Sequence, residues 1–308
     1  MKQKLDKSIL KKIKKNKIFQ DLSRLNILNY NNLILFNNRT RDLKIPVIAD
    51  KKSRVIFLSD ISHSSKVLIK EIDQFESKNL KNNISIEKYK NKKVSLIAPD
   101  DDLRRFSQLK KIIKNKNVLD FGCGIGTFIK LAKKVTKNCD GLEVNKKLIS
   151  KLRNKIKLFS QIDAVDKKYD FITMFHVLEH IPNFIETLRS LKKILKKNGK
   201  LIIEIPHAKD ILFNVDEFKE FSLWSEHLIL HTSDSISKIL KFCGYKNITV
   251  EYVQRYSFAN HLGWFLKKKP QGHVFFKHFY NKNIDKKYNE YLKKNKITDT
   301  LIVTAAIN

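Results

Sequence analysis

The residues from Val118 to Gly126 constrain the fold of this chain more than any others, and they read Val-Leu-Asp-Phe-Gly-Cys-Gly-Ile-Gly. Two apolar residues predict the end of a buried strand, an acidic residue follows at its tip, and glycines then stand at alternate positions. Phe128, Leu131, Ala132 and Val135 recur at helical spacing after this turn. A strand, a glycine turn and a helix form the first βα unit of a doubly wound sheet, where a nucleoside-containing cofactor usually binds. Glycine suits the turn because a β-carbon would hold the backbone away from the ligand.

The spacing within the turn separates the candidate cofactors. A dinucleotide turn has the pattern G-x-G-x-x-G, but Thr127 stands three places after Gly124, and Gly126 comes one place early. Asp120 precedes the first glycine by two residues, where a carboxylate would repel a pyrophosphate but suits an ammonium group. S-adenosylmethionine (SAM) carries an ammonium, a sulfonium and no phosphate.

The run D-x-G-x-G-x-G resembles motif I of the class I SAM-dependent methyltransferases. The resemblance implies SAM as the cofactor and assigns to its binding Asp120, Gly122, Cys123, Gly124 and Gly126.

A second acidic residue, Glu143, ends another short apolar run about 20 residues after Asp120. An acidic residue at this place can accept hydrogen bonds from both ribose hydroxyls. The resemblance assigns that role to Glu143, and the alternative is a solvated carboxylate in a turn. It extends the expected cofactor-binding set to Val144, Asp163 and His176.

The net charge of +32 suggests an anionic partner, since a basic surface collects phosphate. Only 9 of the 63 basic residues are arginine, the residue that binds phosphate and guanine bidentately. The chain is rich in Asn and Ile and poor in Gly and Pro, which indicates an AT-rich genome in which lysine fills solvated positions by default. An acidic substrate or weak contact with an anionic membrane surface stays open, and we expect nucleic acid not to be the partner.

The remaining elements predict an α/β fold: a doubly wound, Rossmann-like, seven-stranded sheet with an antiparallel last strand, plus an N-terminal α+β extension. We expect the extension over residues 1–98 and the methyltransferase domain over 99–308, with an insertion at 258–298 before the last strand. In the extension we expect a basic helix in the first 17 residues, a β-hairpin over Leu43–Leu58, a helix over Ser62–Phe75 and a loop over 77–95.

In the domain we expect one helix that carries Leu103, Phe106, Leu109 and Ile113. We expect a second helix from Leu148 to Ile156. A strand over Tyr169–Phe175 and a helix from Pro182-Asn183 follow, with Glu186 near a capping box. We expect later strands at Lys200–Ile205, Ile248–Tyr252 and Thr300–Ile307, and a helix at Ser235–Phe242. No helix with a good pattern precedes the last strand. Arg104 and Arg105 follow a run of aspartates, with which we expect them to form ion pairs.

The segment from Phe175 to His180 resembles the region after the fourth strand of many small-molecule methyltransferases, where Leu-Glu-His is common. Ubiquinone-type O-methyltransferases carry a related Glu-x-x-Glu-His that is associated with a metal, and here His176 replaces the first glutamate. His176, Glu179 and His180 would share one helical face, which permits a metal site. We expect instead that Glu179 and His180 brace the loop and cap the next helix, with no metal.

The segment Ser225-Glu226-His227-Leu228 resembles the Glu-His element of sugar C-methyltransferases, which approaches the acceptor in those enzymes. Those enzymes carry a tyrosine two residues before the glutamate, where this chain has Trp224. They also have a cysteine-rich, zinc-binding N-terminal domain, which the three cysteines of this chain cannot form. The resemblance supports a site near Glu226 and His227 without supporting C-methylation. His207, after the fifth strand, is the other candidate base, because histidine suits proton transfer at neutral pH. The alternative for each is that it braces a loop.

We therefore expect a SAM-dependent methyltransferase that acts on a small molecule, a sugar, nucleotide-sugar or glycan precursor, with O-methylation favoured. The N-terminal region and the insertion suit a lid over a discrete substrate, and the general look of the chain resembles methyltransferases encoded beside polysaccharide biosynthesis genes. The alternatives are an RNA methyltransferase that uses the basic surface and a non-catalytic SAM-binding or scaffolding protein. Cysteine usage and the absence of a signal-peptide core or a membrane-length apolar run favour the cytoplasm.

Overall fold

A computed structural model describes residues 5–64, 84–89, 92–97, 101–152, 154, 156–279 and 281–307. The chain forms two compact units. The first comprises Met1–Pro99, Pro206–Thr232 and Tyr252–Thr300, and the second comprises Asp100–Ile205, Ser233–Glu251 and Leu301–Asn308. The two later segments of the first unit lie within residues 99–308, which we expected to form the C-terminal domain. No helix in the described parts of the chain is long and apolar enough to cross a bilayer.

A seven-stranded sheet forms the centre of the second unit. In chain order its strands are β6 (Asn117–Phe121), β7 (Asn138–Leu142), β8 (Leu158–Phe159), β9 (Tyr169–Phe175), β10 (Leu195–Pro206), β12 (Lys246–Val253) and β13 (Thr300–Ala306). They lie in the order β12-β13-β10-β9-β6-β7-β8. Strands β10, β9, β6, β7 and β8 are parallel neighbours, and the last strand is antiparallel. The predicted doubly wound, seven-stranded sheet with an antiparallel last strand is confirmed, and that strand lies between β10 and β12.

Helices pack on this sheet because each has one apolar face. They are α3 (Asp101–Leu109), α4 (Thr127–Ala132), α5 (Lys146–Leu152), α6 (Phe184–Lys193) and α8 (Ser233–Phe242). Buried apolar residues of the sheet and these helices form one cluster. Its members are Ile113, Val118, Cys123, Phe128, Ile129, Ala132, Cys139, Leu152, Ile156, Phe171 and Ile202. This core fixes the carboxyl ends of β6, β7 and β9 at one edge of the sheet.

Several predicted helices of the second unit are shorter in the structure. Helix α3 ends before Ile113, and α5 ends before Ile156, although both residues are buried. Helix α6 begins at Phe184, but the side chain of Asn183 makes no capping hydrogen bond, so the predicted capping box is wrong. Strand β10 begins at Leu195, earlier than predicted, and its register against β9 shifts between Leu195 and Lys200.

The first unit contains a four-stranded sheet and helices at its N-terminal end. Helix α1 spans Lys7–Lys15 and α2 spans Lys17–Arg24, and the sheet order is β1 (Leu33–Asn37), β2 (Val47–Asp50), β3 (Ile56–Leu58) and β11 (Ile229–Leu230). The antiparallel pair β2–β3 confirms the predicted hairpin. The predicted basic helix buries Ile13 completely, and α2 buries three further apolar residues.

Two other expectations for the N-terminal region meet different outcomes. The prediction of a loop over 77–95 is wrong for residues 84–89 and 92–95, which the structure describes as strands. Strands β4 (Ile84–Tyr89) and β5 (Lys92–Ile97) pair antiparallel there, because alternating residues suit a hairpin as well as a polar loop. The helix predicted for Ser62–Phe75 lies outside the described residues except at its start.

The segment before the last strand is helical. Helix α7 spans Asp216–Ser222, and the predicted insertion contains α9 (Phe258–Lys267), α10 (Gly272–Phe275) and α11 (Lys282–Lys294). A helix, α11, therefore precedes the last strand, although no helix with a good pattern stands there in the sequence. Helix α11 has few buried residues, so its apolar pattern is weak in the sequence.

Candidate functional site

The glycine turn between β6 and α4 is tied to the end of β7. The N–H groups of Gly122 and Cys123 donate to the carbonyl of Leu142 at 2.8 and 3.1 Å. Gly122, Gly124 and Gly126 all have positive φ, the left-handed region that favours glycine. A β-carbon on Gly122 would overlap the side chain of Val177, whereas one on Gly124 would meet no atom within 4 Å. The turn therefore presents backbone to open space at Gly124, which is the place where a ligand can approach it.

Asp120 lies at the end of β6 and is buried, with 4% of its surface exposed. Thr173, its register partner on β9, donates its hydroxyl to Oδ1 of Asp120 at 2.7 Å. Burial raises the pKa of Asp120 to about 7, and the Thr173 hydrogen bond offsets part of this rise. The predicted contact of Asp120 with a ligand ammonium stays a prediction. An approaching cation would favour the charged form of this carboxyl.

Glu143 follows β7, and its two carboxylate oxygens accept backbone hydrogen bonds. Oε2 accepts the N–H of Gly124 at 3.0 Å, and Oε1 accepts the N–H of Asn145 at 2.9 Å. Glu143 is therefore coupled to the open position of the glycine turn, and a solvated carboxylate does not describe it. The next residue, Val144, is 60% exposed.

The remaining predicted cofactor residues lie at neighbouring strand ends of the second unit. Asp163 is exposed in the short turn Ile162–Ala164 after β8. His176 follows β9 with φ of +53°, and its Nδ1 lies 3.1 Å from Oε1 of Glu179. The carboxyl ends of parallel strands meet at one edge of a sheet, so the glycine turn, Glu143 and His176 share that edge. Cys123 is buried in the turn, and burial raises the pKa of its thiol.

A buried carboxylate that the sequence analysis missed, Glu204 on β10, organises the neighbouring cations. Arg104 and Arg105 donate to its Oε1 at 2.8 Å, and Nε2 of His176 lies 3.2 Å from the same oxygen. Burial alone would raise the pKa of Glu204. The hydrogen bonds from His176 and Arg105, with the charge of Arg105, hold that pKa well below its usual range. A glutamate within the apolar run Leu201–Ile205 was the available signal, because a fully buried carboxylate requires partners.

The predicted ion pairs of α3 are confirmed beside this cluster. Arg104 pairs with Asp101 and Arg105 with Asp102, each at 2.9 Å. The helix is thus fixed to β10 through the same two guanidinium groups that bind Glu204.

The segment after His176 forms a short turn. Leu178–His180 is a single 3-10 turn, so the spacing of His176, Glu179 and His180 does not place them on one face of an α-helix. Glu179 is fully buried, with His176 at 3.1 Å and Nε2 of His180 at 3.9 Å from its Oε1. These contacts fit the expectation that Glu179 braces the loop.

In the first unit, hydrogen bonds and ring contacts hold the segment that leads to Glu226 and His227. Ser225 is buried and donates its N–H and hydroxyl to the Asp42 carboxylate at 2.9 and 2.6 Å. The guanidinium of Arg41 lies 4.3 Å from the ring centres of both Phe221 and Trp224. Glu226 and His227 follow directly and are half-buried. The elements around them therefore hold the backbone of this pair in one place.

His207, also in the first unit, is almost fully buried just after β10. Its Nδ1–H donates to the carbonyl of Thr298 at 2.9 Å, and its ring lies edge-on to Tyr252. Burial lowers the pKa of His207 to about 4, so the ring is neutral at physiological pH. Because a carbonyl can only accept, the proton stays on Nδ1, and Nε2 is the basic nitrogen.

Sequence comparison finds relatives of this chain. It is 31% identical over 126 residues to an uncharacterized protein of Methanocaldococcus jannaschii, a match that covers 39% of this chain and 54% of that protein. It is 26% identical over 216 residues to a demethylmenaquinone methyltransferase of Lactobacillus johnsonii, covering 58% of this chain and 87% of the relative. A ubiquinone biosynthesis O-methyltransferase of Pelagibacter ubique is 28% identical over 103 residues, 30% of this chain and 43% of that protein. The chain thus spans about half the length of two of these three relatives.

Among solved structures, a SAM-dependent methyltransferase from Archaeoglobus fulgidus superposes with a TM-score of 0.46 at 20% identity, covering 67% of this chain and 91% of that one. A family model described as a methyltransferase domain matches residues 91–250, just over half of the chain. This stretch contains the glycine turn, Glu143, His176 and Glu204. The chain therefore belongs to the methyltransferase-domain family.

Proposed function

We infer that this chain transfers the methyl group of SAM to a hydroxyl group of a small sugar, nucleotide-sugar or glycan precursor. The observation that carries the methyl-transfer part is the glycine turn. Of the three turn glycines, Gly124 is the one at which an added β-carbon would meet no atom within 4 Å. Its N–H donates to Oε2 of Glu143 at 3.0 Å. A ligand at this place would meet backbone on one side and a carboxylate suited to ribose hydroxyls on the other. When bound, SAM supplies an electrophilic methyl group.

The residues proposed to bind the cofactor are those expected from motif I and the neighbouring strand ends. They are Asp120, Gly122, Cys123, Gly124, Gly126, Glu143, Val144, Asp163 and His176. Of these, Gly124 and Glu143 have the geometry that most directly supports the role. The three cysteines are buried and unpaired, which agrees with a reducing cytoplasm as the proposed compartment.

The acceptor class rests on the resemblance of the Glu226-His227 segment to sugar methyltransferases. A hydroxyl acceptor attacks the methyl carbon, the carbon–sulfur bond breaks with its electron pair going to sulfur, and the hydroxyl proton moves to a base. His227 is the proposed base, since it is half-buried on a backbone fixed through Ser225, with Glu226 beside it. His207 is the other candidate, because its Nε2 is unprotonated at neutral pH, although burial and the pKa of about 4 make it a weaker base.

The test is release of S-adenosylhomocysteine from SAM, with nucleotide sugars and glycan precursors offered one by one and the methylated product identified by its mass. We expect His227→Ala to reduce turnover about 100-fold, the usual contribution of a general base, with unchanged SAM affinity. His278→Ala, at an exposed histidine, is the matched control. Unchanged turnover in His227→Ala would remove this residue from the mechanism, and absence of any turnover across the acceptors would contradict the sugar proposal.

A second candidate acceptor is a quinone precursor, which the similarity to the demethylmenaquinone methyltransferase of Lactobacillus johnsonii favours. That match covers most of the relative, so it extends beyond motif I. A short-chain demethylmenaquinone analogue belongs in the same acceptor series. Methylation of this analogue with no methylation of sugars would select the second candidate.

A further inference from the structure

The α9–α10 region of the first unit exposes apolar and basic side chains together. Leu266, Val274, Phe275 and Phe279 are 62%, 53%, 41% and 47% exposed. Residues 267–269 are lysines that are also exposed, as is Lys277. We call these eight residues the 266–279 face. Exposed apolar groups of this size that lie close together mark an interaction surface more often than single ones do.

The elements that carry this face are packed on one another. A β-carbon on Gly272 would overlap the carbonyls of Ala259 and Asn260, so α10 lies directly against α9. The turn Lys277–Phe279 contacts both helices, and the ammonium of Lys269 lies 4.6 Å from the ring centre of Phe275. The apolar side chains are therefore exposed on a fixed scaffold with lysines beside them.

The charge of this region indicates the kind of partner. Residues 257–283 include five lysines and no Asp or Glu, although the whole chain has 31 acidic residues in 308. A general excess of lysine would not remove the carboxylates from one segment. Residues 257–283 also contain no arginine, the residue that makes the bidentate contacts typical of nucleic-acid recognition.

We propose that the 266–279 face binds the surface of an anionic phospholipid bilayer. The aliphatic and aromatic side chains enter the boundary between headgroups and acyl chains, and the lysines lie at the level of the phosphates. Leu266 and Val274 favour a lipid partner over RNA, because aliphatic side chains cannot stack on bases as aromatic ones do. This binding adds to the proposed methyl transfer and does not depend on it.

The experiment measures flotation of the full-length chain with vesicles of phosphatidylcholine alone or mixed with phosphatidylglycerol. We expect binding to the anionic vesicles only, weakening as salt is raised. The triple variant Lys267→Gln, Lys268→Gln, Lys269→Gln should bind about 100-fold more weakly. The double variant Phe275→Ser, Phe279→Ser should bind the anionic vesicles at least tenfold more weakly, although its charge is unchanged.

Matched controls come from the loop after α3, where Lys110, Lys111, Ile112 and Lys114 are exposed. The triple Lys→Gln variant at 110, 111 and 114 removes the same charge, and Ile112→Ser removes an exposed apolar group. Both should bind within twofold of wild type. Thermal melting followed by circular dichroism verifies that each variant is folded.

A second readout covers variants that fold poorly. Phe279→Trp should shift its fluorescence to the blue when anionic vesicles are added, and Ile112→Trp should not. Equal binding by the face and control variants, or equal binding to neutral vesicles, would overturn the proposal. Loss of single-stranded RNA binding in the lysine variant, with vesicle binding unchanged, would assign the face to nucleic acid and overturn it as well.

Discussion

At the residue scale, Asp120 combines burial with a functional expectation. Its pKa is raised to about 7 by burial, while an unfolded aspartate titrates near 3.9. Between about pH 4 and pH 7 the folded chain holds a proton that the unfolded chain has lost. The free energy of unfolding therefore falls as pH rises through this window, and the cost of the buried charge is complete above it.

We predict that Asp120→Asn raises the free energy of unfolding by about 2–4 kcal/mol at pH 8 and leaves it nearly unchanged at pH 4. Asparagine can still accept the Thr173 hydroxyl, so the fold should persist. Urea unfolding across this pH range measures the difference. If Asp120 contacts the SAM ammonium, the same variant weakens SAM binding. A stability difference that stays constant with pH would contradict the assignment.

Gly122 and Gly124 provide a matched pair for the turn. Gly124→Ala adds a methyl group to open space, so we expect a stability loss of only about 1–2 kcal/mol from the left-handed backbone. SAM affinity should fall at least tenfold, because the methyl group occupies the ligand's approach. Gly122→Ala overlaps Val177 and should destabilise the fold more. Thermal melting and SAM titration of both variants make the comparison, and equal SAM binding by Gly124→Ala and wild type would exclude this approach.

At the element scale, Glu204 joins α3, β9 and β10 through Arg104, Arg105 and His176. Its pKa is held well below its usual range, so its charge favours the folded state. This stabilisation is present above the unfolded pKa of about 4.3 and is lost as pH falls from there toward the folded pKa.

We predict that Glu204→Gln costs about 3 kcal/mol at pH 7, because it leaves buried guanidinium groups without their shared carboxylate. The cost should shrink below about pH 4. Glu251→Gln, at an exposed glutamate on β12, is the control and should change stability by less than about 0.5 kcal/mol. An equal effect of the two substitutions in urea unfolding would show that the cluster adds no stability.

The elements that were predicted from sequence are those whose local pattern agrees with their burial. Strands β6 and β9 are mostly apolar and buried, and α8 carries a regular apolar face before Gly244. The hairpin β4–β5 was missed because half of its residues are polar, and helix α11 was missed because most of its residues are polar. For the site, motif I indicated Gly124, and the acidic end of the next apolar run indicated Glu143. The hydrogen bond between them depends on the pairing of β6 with β7. Glu204 was missed because its two arginine partners lie about 100 residues away in the chain.

At the scale of the whole molecule, 63 basic and 31 acidic residues produce a net charge of +32. Such a charge destabilises a compact state through self-repulsion. Added salt shortens the screening length from about 10 Å at 0.1 M to about 3 Å at 1 M.

We therefore predict that the melting temperature rises by about 2–4 °C between these two sodium chloride concentrations, as expected for about 1 kcal/mol in a chain of this size. Differential scanning calorimetry provides the measurement. A melting temperature that stays constant or falls would mean that local ion pairs outweigh the overall repulsion.

Calorimetric titration of SAM and S-adenosylhomocysteine measures whether the glycine turn and Glu143 bind the cofactor. We expect wild type and the Glu251→Ala control to bind with micromolar affinity, about −8 kcal/mol. Glu143→Ala should bind at least tenfold more weakly, because it loses both the ribose acceptor and the hydrogen bond that holds Gly124. No binding of either ligand by wild type, or equal binding by Glu143→Ala, would contradict the account.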